Sequence, residues 1–284
     1  MRSMGKLSLM LIVVGTAACG SDNNNTVDAH IVVPIDAKPI DAPKVFNDAP
    51  PVNYDFTCMG NAAPVAGSAA AAITASGIVT QVDLQGMTPS ITPLDGATLD
   101  GCKAGAANCT NANQYGTEVT SAGGGLFSIG PFDTGTNPVD MYVSMTKTGV
   151  RPARVYPAGP LIADQPNIPA LTFTTSAFAA IGGLEGQMPA NGTIGLLVAD
   201  CANTPIADGG NVTLSIKQGG NAVAGTTTLD ASTLSAMAAG LYIVFNVPPG
   251  ETEVGAMYKG MTLRAHTVTV IQATDSETIV RPGF

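Results

Sequence analysis

Gly240-Leu241-Tyr242-Ile243-Val244-Phe245-Asn246-Val247-Pro248-Pro249-Gly250-Glu251-Thr252-Glu253-Val254 is the stretch that decides the fold. Leu241–Val247 is rich in β-branched and aromatic residues, which suit a pleated, half-buried surface. Leu241, Ile243 and Phe245 alternate, so they share one face of a strand. Pro249 fixes φ and Gly250 permits positive φ, the chemistry of a type II turn. Glu253–Tyr258 then reads as the return strand. A strand, a tight turn and a second strand make this part of the chain β.

The pattern extends in both directions. Ile194–Asp200, Val212–Lys217, Leu263–Val270 and Glu277–Val280 are further strand candidates. Upstream, Ile73–Val82, Ala97–Leu99, Tyr115–Thr120, Leu126–Ile129, Met141–Lys147, Arg151–Tyr156 and Leu171–Phe173 form an earlier set. Many short strands with turn signals between them suggest β-sandwiches. Three stretches recur. Thr92-Pro93-Leu94-Asp95-Gly96 is echoed by Thr204-Pro205-Ile206-Ala207-Asp208-Gly209. Gly125-Leu126-Phe127 is echoed by Gly240-Leu241-Tyr242, and Met145-Thr146-Lys147-Thr148-Gly149 by Met257-Tyr258-Lys259-Gly260. A common spacing implies two tandem copies of one unit. Between them, Phe178, Ile181 and Leu184 recur at helical spacing behind Thr175 or Ser176 as N-cap, which predicts a short connecting helix over 175–190.

Together, Pro205-Ile206, Gly210-Asn211-Val212-Thr213-Leu214 and the Pro248-Pro249-Gly250 turn resemble the signature of carboxypeptidase regulatory-like domains. The resemblance covers Ile194–Pro282 well and Ile73–Phe173 more weakly, since Asp133-Thr134-Gly135-Thr136-Asn137-Pro138 stands where the Pro-Pro-Gly turn would be. It implies an all-β fold: two tandem transthyretin-like (Ig-like) β-sandwiches joined by a short helix. The first spans residues 58–174 and the second 191–284. The second copy holds a full strand set, so a fragment beginning at Thr193 is expected to fold alone.

The start of the chain says where the protein goes. Arg2 and Lys6 precede the apolar run Leu7–Ala18, too short to span a bilayer and right for a secretory signal over residues 1–18. Thr16-Ala17-Ala18-Cys19 resembles the lipobox of bacterial lipoproteins, with Thr16 in place of the usual leucine. That resemblance implies cleavage before Cys19 and lipidation, including palmitate, on its thiol. Gly20 after the cysteine implies the outer membrane of a Gram-negative envelope. Residues 19–57 then read as a Pro/Asp/Asn-rich tether, with Pro34-Ile35-Asp36-Ala37 repeated as Pro39-Ile40-Asp41-Ala42. The membrane, through the lipid on Cys19, is thus one expected partner.

Composition excludes several functions. Removing Arg2 and Lys6 with the signal leaves 10 cations against 21 anions. That balance repels phosphate backbones, so no nucleic-acid partner is expected. A zinc hydrolase needs a His-x-x-Glu pair. The two histidines, His30 and His266, have no glutamate in register, and His266 reads as an exposed strand residue. Ser144-x-x-Lys147 and Lys147-Thr148-Gly149 overlap inside one strand and cannot act as separate catalytic elements. Asp95, Asp100, Asp133 and Asp140 lack calcium-loop spacing and read as turn carboxylates. No tryptophan is present to stack on sugars, and Tyr115, Tyr142, Tyr156, Tyr242 and Tyr258 sit at alternating, core-like positions. The expectation is no enzyme and no cofactor: an adhesion, scaffold or structural module with an envelope protein partner. A glycan- or peptidoglycan-binding module is the alternative.

Lipidation of Cys19 leaves Cys58, Cys102, Cys109 and Cys201. An even number in an exported chain suggests disulfides, and four cysteines allow three pairings. Cys102 and Cys109 flank the flexible Lys103–Asn108 loop, which favours Cys102–Cys109 and leaves Cys58–Cys201.

Overall fold

The computed structural model describes residues 52–86, 88–235 and 238–284. The expected signal sequence, the expected lipidation site Cys19 and His30 lie outside these residues. Contacts group Val52–Phe284 into one unit.

The first copy contains β1 (Ala72–Gln85), β2 (Thr88–Pro93), β3 (Thr98–Lys103), β4 (Gln114–Thr120), β5 (Leu126–Asp133), β6 (Met141–Thr146), β7 (Ala153–Tyr156) and β8 (Gln165–Phe173). Helix α1 (Thr175–Leu184) follows. The second copy contains β9 (Gly192–Val198), β10 (Val212–Gln218), β11 (Asn221–Ala222), β12 (Thr227–Asp230), β13 (Leu241–Val247), β14 (Gly250–Tyr258), β15 (Met261–Thr262), β16 (His266–Val270) and β17 (Asp275–Val280).

The two copies are built alike. In each, one sheet has a central strand with an antiparallel neighbour on one side and a parallel one on the other. These are β5-β1-β8 in the first copy and β13-β9-β17 in the second. The facing sheets are β4-β3-β6-β7 and β11-β10-β14-β16. The recurring sequence stretches meet at equivalent points. Val79 N–H donates to Gly125 O and its carbonyl accepts from Leu94 N–H; Val198 does the same with Gly240 O and Ile206 N–H. Gly125 and Gly240 both have positive φ. An added Cβ would stand 2.2 Å from Val79 O at Gly125 and 3.1 Å from Val198 O at Gly240. Only glycine fits such a crossing of backbones.

The all-β reading and the tandem sandwiches hold, with one feature beyond them. β17 of the second copy pairs in parallel with β7 of the first, Asp275 opposite Ala153 through Thr278 opposite Tyr156. The join makes one eight-stranded sheet, ordered β12-β13-β9-β17-β7-β6-β3-β4. One core lies between the first-copy part of this sheet and β1, β5 and β8, around Ile73, Leu99, Ile129 and Met145. A second lies on the opposite face, around Ile194, Leu196, Val254 and Val268, and takes in Tyr142 and Tyr156 of the first copy. The second copy is therefore not self-contained as its strand count suggested.

Helix α1 begins one residue earlier than its predicted cap: Thr174 Oγ1 accepts from Ala177 N–H at 3.1 Å. It ends at Leu184, because Gly186 takes positive φ and turns the chain away. Phe178 and Ile181 pack on Val82, Phe173, Ile243 and Phe245. Leu184, placed on the same face by periodicity, is instead 78% exposed at the frayed last turn.

Both disulfides are present as paired above. Cys102–Cys109 closes the 103–108 loop against the sheet, where Tyr142 Oη–H donates to Ala106 O and the Arg154 guanidinium to Ala107 O. Cys58–Cys201 joins positions 143 residues apart. Residues 54–56, assigned to the tether, are docked on the second copy. Tyr54 and Phe56 pack on Tyr258 at ring distances of 5.7 and 5.8 Å, Asp55 N–H donates to Asp200 Oδ2, and Asp55 O accepts from Cys201 N–H.

Candidate functional site at the junction of the two copies

Strand alternation sorts the side chains of β17. Ser276, Thr278 and Val280 face the second core, where Ser276 Oγ–H donates to Thr269 O and Thr278 Oγ1 lies 2.6 Å from His266 Nδ1. Asp275, Glu277 and Ile279 face the other way, toward β8 and α1. Thr193, Gly195 and Leu197 on β9 do likewise, in register with Asp275, Glu277 and Ile279. The result is a cavity of about 230 Å³ between the shared sheet and the β8 edge. Leu171, Phe173, Leu197, Leu241, Ile243 and Ile279 form its walls, and the exposed Pro169 and Pro205 stand at its rim.

The floor is polar. Glu277 is 9% exposed, and its Oε2 accepts the Leu171 N–H of β8 at 2.9 Å. A carboxyl group thus stands where another strand's carbonyl would. Gly195 leaves it room: an added Cβ there would lie 3.2 Å from Glu277 Cγ. Asp275, 2% exposed, accepts from Arg151 Nε at 2.9 Å, while the guanidinium lies 3.5 Å over the Phe178 ring. Asp275 Oδ2 and Thr193 Oγ1 are buried without a hydrogen-bond partner. Burial pushes the Asp275 carboxyl up to about 6 against the pull of Arg151. Burial also holds Glu277 well above the ordinary glutamate range; the Leu171 N–H opposes this and the Asp275 charge adds to it.

Thr193, Asp275 and Glu277 escaped the sequence reading as site residues, although a signal was there. Carboxylates at i and i+2 of one strand share a face. That this face is buried depends on β7 and β8 of the other copy.

The residues singled out from sequence are dispersed. Among the described residues, no three or more His, Cys, Asp or Glu side chains group as metal ligands. Asp95, Asp100 and Asp133 serve local bonds, to Gly125 N–H, Gln114 Nε2–H and Gly135 N–H respectively. Ser144 lies on β6, and Lys147 just beyond it reaches Asp95 O. His266 is on a strand as expected, but it is half-buried rather than exposed, edge-on to Tyr156. Burial, with a smaller push from Arg264, lowers its pKa to about 4. Tyr142, Tyr156, Tyr242 and Tyr258 are buried. A wider cavity of about 570 Å³ is lined by the Pro157–Pro169 loop, Arg281 and Phe284. No helix among the described residues is long and apolar enough to cross a membrane.

No family model matches the chain, and no curated protein matches it. Solved structures do. A shaft pilin of Lactobacillus rhamnosus GG is 9% identical, with a TM-score of 0.24, over 74% of this chain and 98% of that one. A minor pilin of Streptococcus agalactiae is 10% identical, with a TM-score of 0.22, over 73% and 95%. The Bacillus anthracis TIE protein is 11% identical, with a TM-score of 0.21, over 75% and 34%. At these scores the likenesses carry nothing about function.

Proposed function

We propose that this chain is a non-catalytic structural or adhesion module of a bacterial envelope, exported by residues 1–18 and anchored by lipid on Cys19, in the outer membrane of a Gram-negative cell. The observation that carries the reading is the bracing of the folded body. Its first residues, 54–58, are docked on the second copy and tied there through Cys58–Cys201. The two copies share a sheet through β7 and β17. A body so braced transmits its anchor point to both sandwiches without a hinge. The glycan or peptidoglycan alternative has no comparable support, since four tyrosine rings that could stack on sugars are buried.

Cys19→Ala tests the anchor. The variant is expected to leave the membrane fraction, with acyl mass on residue 19 in the parent alone. A variant as membrane-bound as the parent refutes it. Pull-down from envelope extracts beside a glycan array tests the role: a captured envelope protein supports the scaffold reading, and specific glycan binding alone replaces it.

A further inference from the structure

Bracing does not require the junction cavity. A purely structural seam would fill it with side chains, and would not set a carboxyl group at its base. Its volume of about 230 Å³ exceeds the roughly 150 Å³ of an engineered apolar cavity that holds benzene. The walls are hydrocarbon. The floor offers acceptors: Asp275 Oδ2 and Thr193 Oγ1, both without partners, and the Glu277 carboxyl. Thr193 and Asp275 are direct neighbours across β9 and β17, and Glu277 comes next on the same face. Thr193 is 1% exposed, so solvent does not satisfy its hydroxyl.

Charge selects among ligands. Arg151 balances Asp275, and nothing cationic balances Glu277. An anionic ligand would meet two carboxyl groups. A neutral apolar one would leave the acceptors empty, which is costly in a buried site. A primary ammonium brings one positive charge and three donors. The geometry points to a binding site for a small aliphatic primary amine, its ammonium on Glu277, Asp275 and Thr193 and its hydrocarbon chain along Leu171, Leu197 and Leu241 toward Pro169 and Pro205.

The site has a proton signature. Asp275 on the same strand and Arg151 are the charged groups beside Glu277; β9 presents Thr193 and Gly195, and β8 presents Leu171. Burial favours the protonated form of Glu277. The charge of an entering R–NH₃⁺ favours the carboxylate instead, so any proton that Glu277 holds in the empty site leaves to solvent on binding.

Titration calorimetry of the Cys19→Ala chain with n-hexylamine, n-hexanol and hexanoate tests this. Hexylamine is expected to bind one to one, at least about tenfold tighter than either analogue. Heats in buffers of different ionisation enthalpy are expected to report a net release of protons on amine binding. Glu277→Gln keeps an acceptor for Leu171 N–H. It is expected to weaken hexylamine by about tenfold or more and abolish the proton release. Hexanol binding as tightly as hexylamine, no saturable heat with hexylamine, or an unchanged affinity in Glu277→Gln overturns the proposal. Should that variant not fold, the ligand series and proton count on the chain with Glu277 intact decide alone.

Discussion

Replacing both Cys58 and Cys201 by serine removes the bridge that holds the start of the folded body to the second copy. The bridge spans 143 residues. Chain-entropy arithmetic for a closed loop of that length gives about 5 kcal/mol of stabilisation, and for the 7-residue Cys102–Cys109 loop about 2 kcal/mol. The Tyr54 and Phe56 contacts with Tyr258 survive the substitution, so the loss is mainly the freed entropy of the unfolded chain. With a urea slope of about 3 kcal/mol/M, the midpoint is expected to fall by about 1.5–2 M. The melting temperature is expected to fall by about 10–20 °C for a body of this size. Equilibrium urea unfolding followed by circular dichroism measures the first, and calorimetry the second. The matched Cys102→Ser/Cys109→Ser variant is the control and is expected to lose about half as much. A long-bridge variant that loses no more than this control refutes the loop-length reasoning. It would mean that residues 52–58 stay in place in the unfolded ensemble, or that the bridge strains the native body.

Stability should depend on pH at both ends of the neutral range. His266 has its pKa lowered from 6.5 to about 4, so its contribution is complete above 6.5 and is lost as pH falls toward 4, about 3 kcal/mol in all. His266→Gln is expected to flatten that acid limb in denaturant titrations, and an unchanged limb refutes the assignment. Glu277 has a raised pKa, so its contribution is complete below 4.5 and declines as pH rises. Glu277→Gln is therefore expected to raise the unfolding midpoint at pH 8 and leave it nearly unchanged at pH 4; the reverse ordering refutes the upward shift. A fragment of residues 193–284 loses the β7 partner of β17, the Leu171 N–H on Glu277, and the Cys58 partner of Cys201. It is expected to aggregate through the open β17 edge or give a poorly dispersed amide spectrum, whereas a dispersed monomer would mean that β7 is dispensable.

What the sequence disclosed follows what is local. Leu241, Ile243 and Phe245 show their strand by composition, and Gly125 and Gly240 show the repeat because only glycine permits both crossings. The cysteine pairing was readable because Cys102 and Cys109 flank a short loop and only two other cysteines remained. Other features stayed hidden for physical reasons. β2 carries Pro89 and Pro93, which speak against a strand, yet it is tolerated at the edge of its sheet beside β1. Phe178 and Ile181 met their partners, but Leu184 depended on where the helix frays. Asp275 and Glu277 look like an ordinary solvated pair; their burial comes from strands more than 100 residues earlier.

The place of β17 in the sheet sets the timing of folding. It follows every other described strand in sequence, yet it sits between β9 and β7 in the interior of the eight-stranded sheet. The two copies cannot join into that sheet until β17 pairs with both. Until then β7, paired with β6, and β9, paired with β13, each keep one open edge. Pairing over such a sequence separation is slow. The order of the strands therefore makes the union of the two copies a late event in folding, with β17 as the closing move.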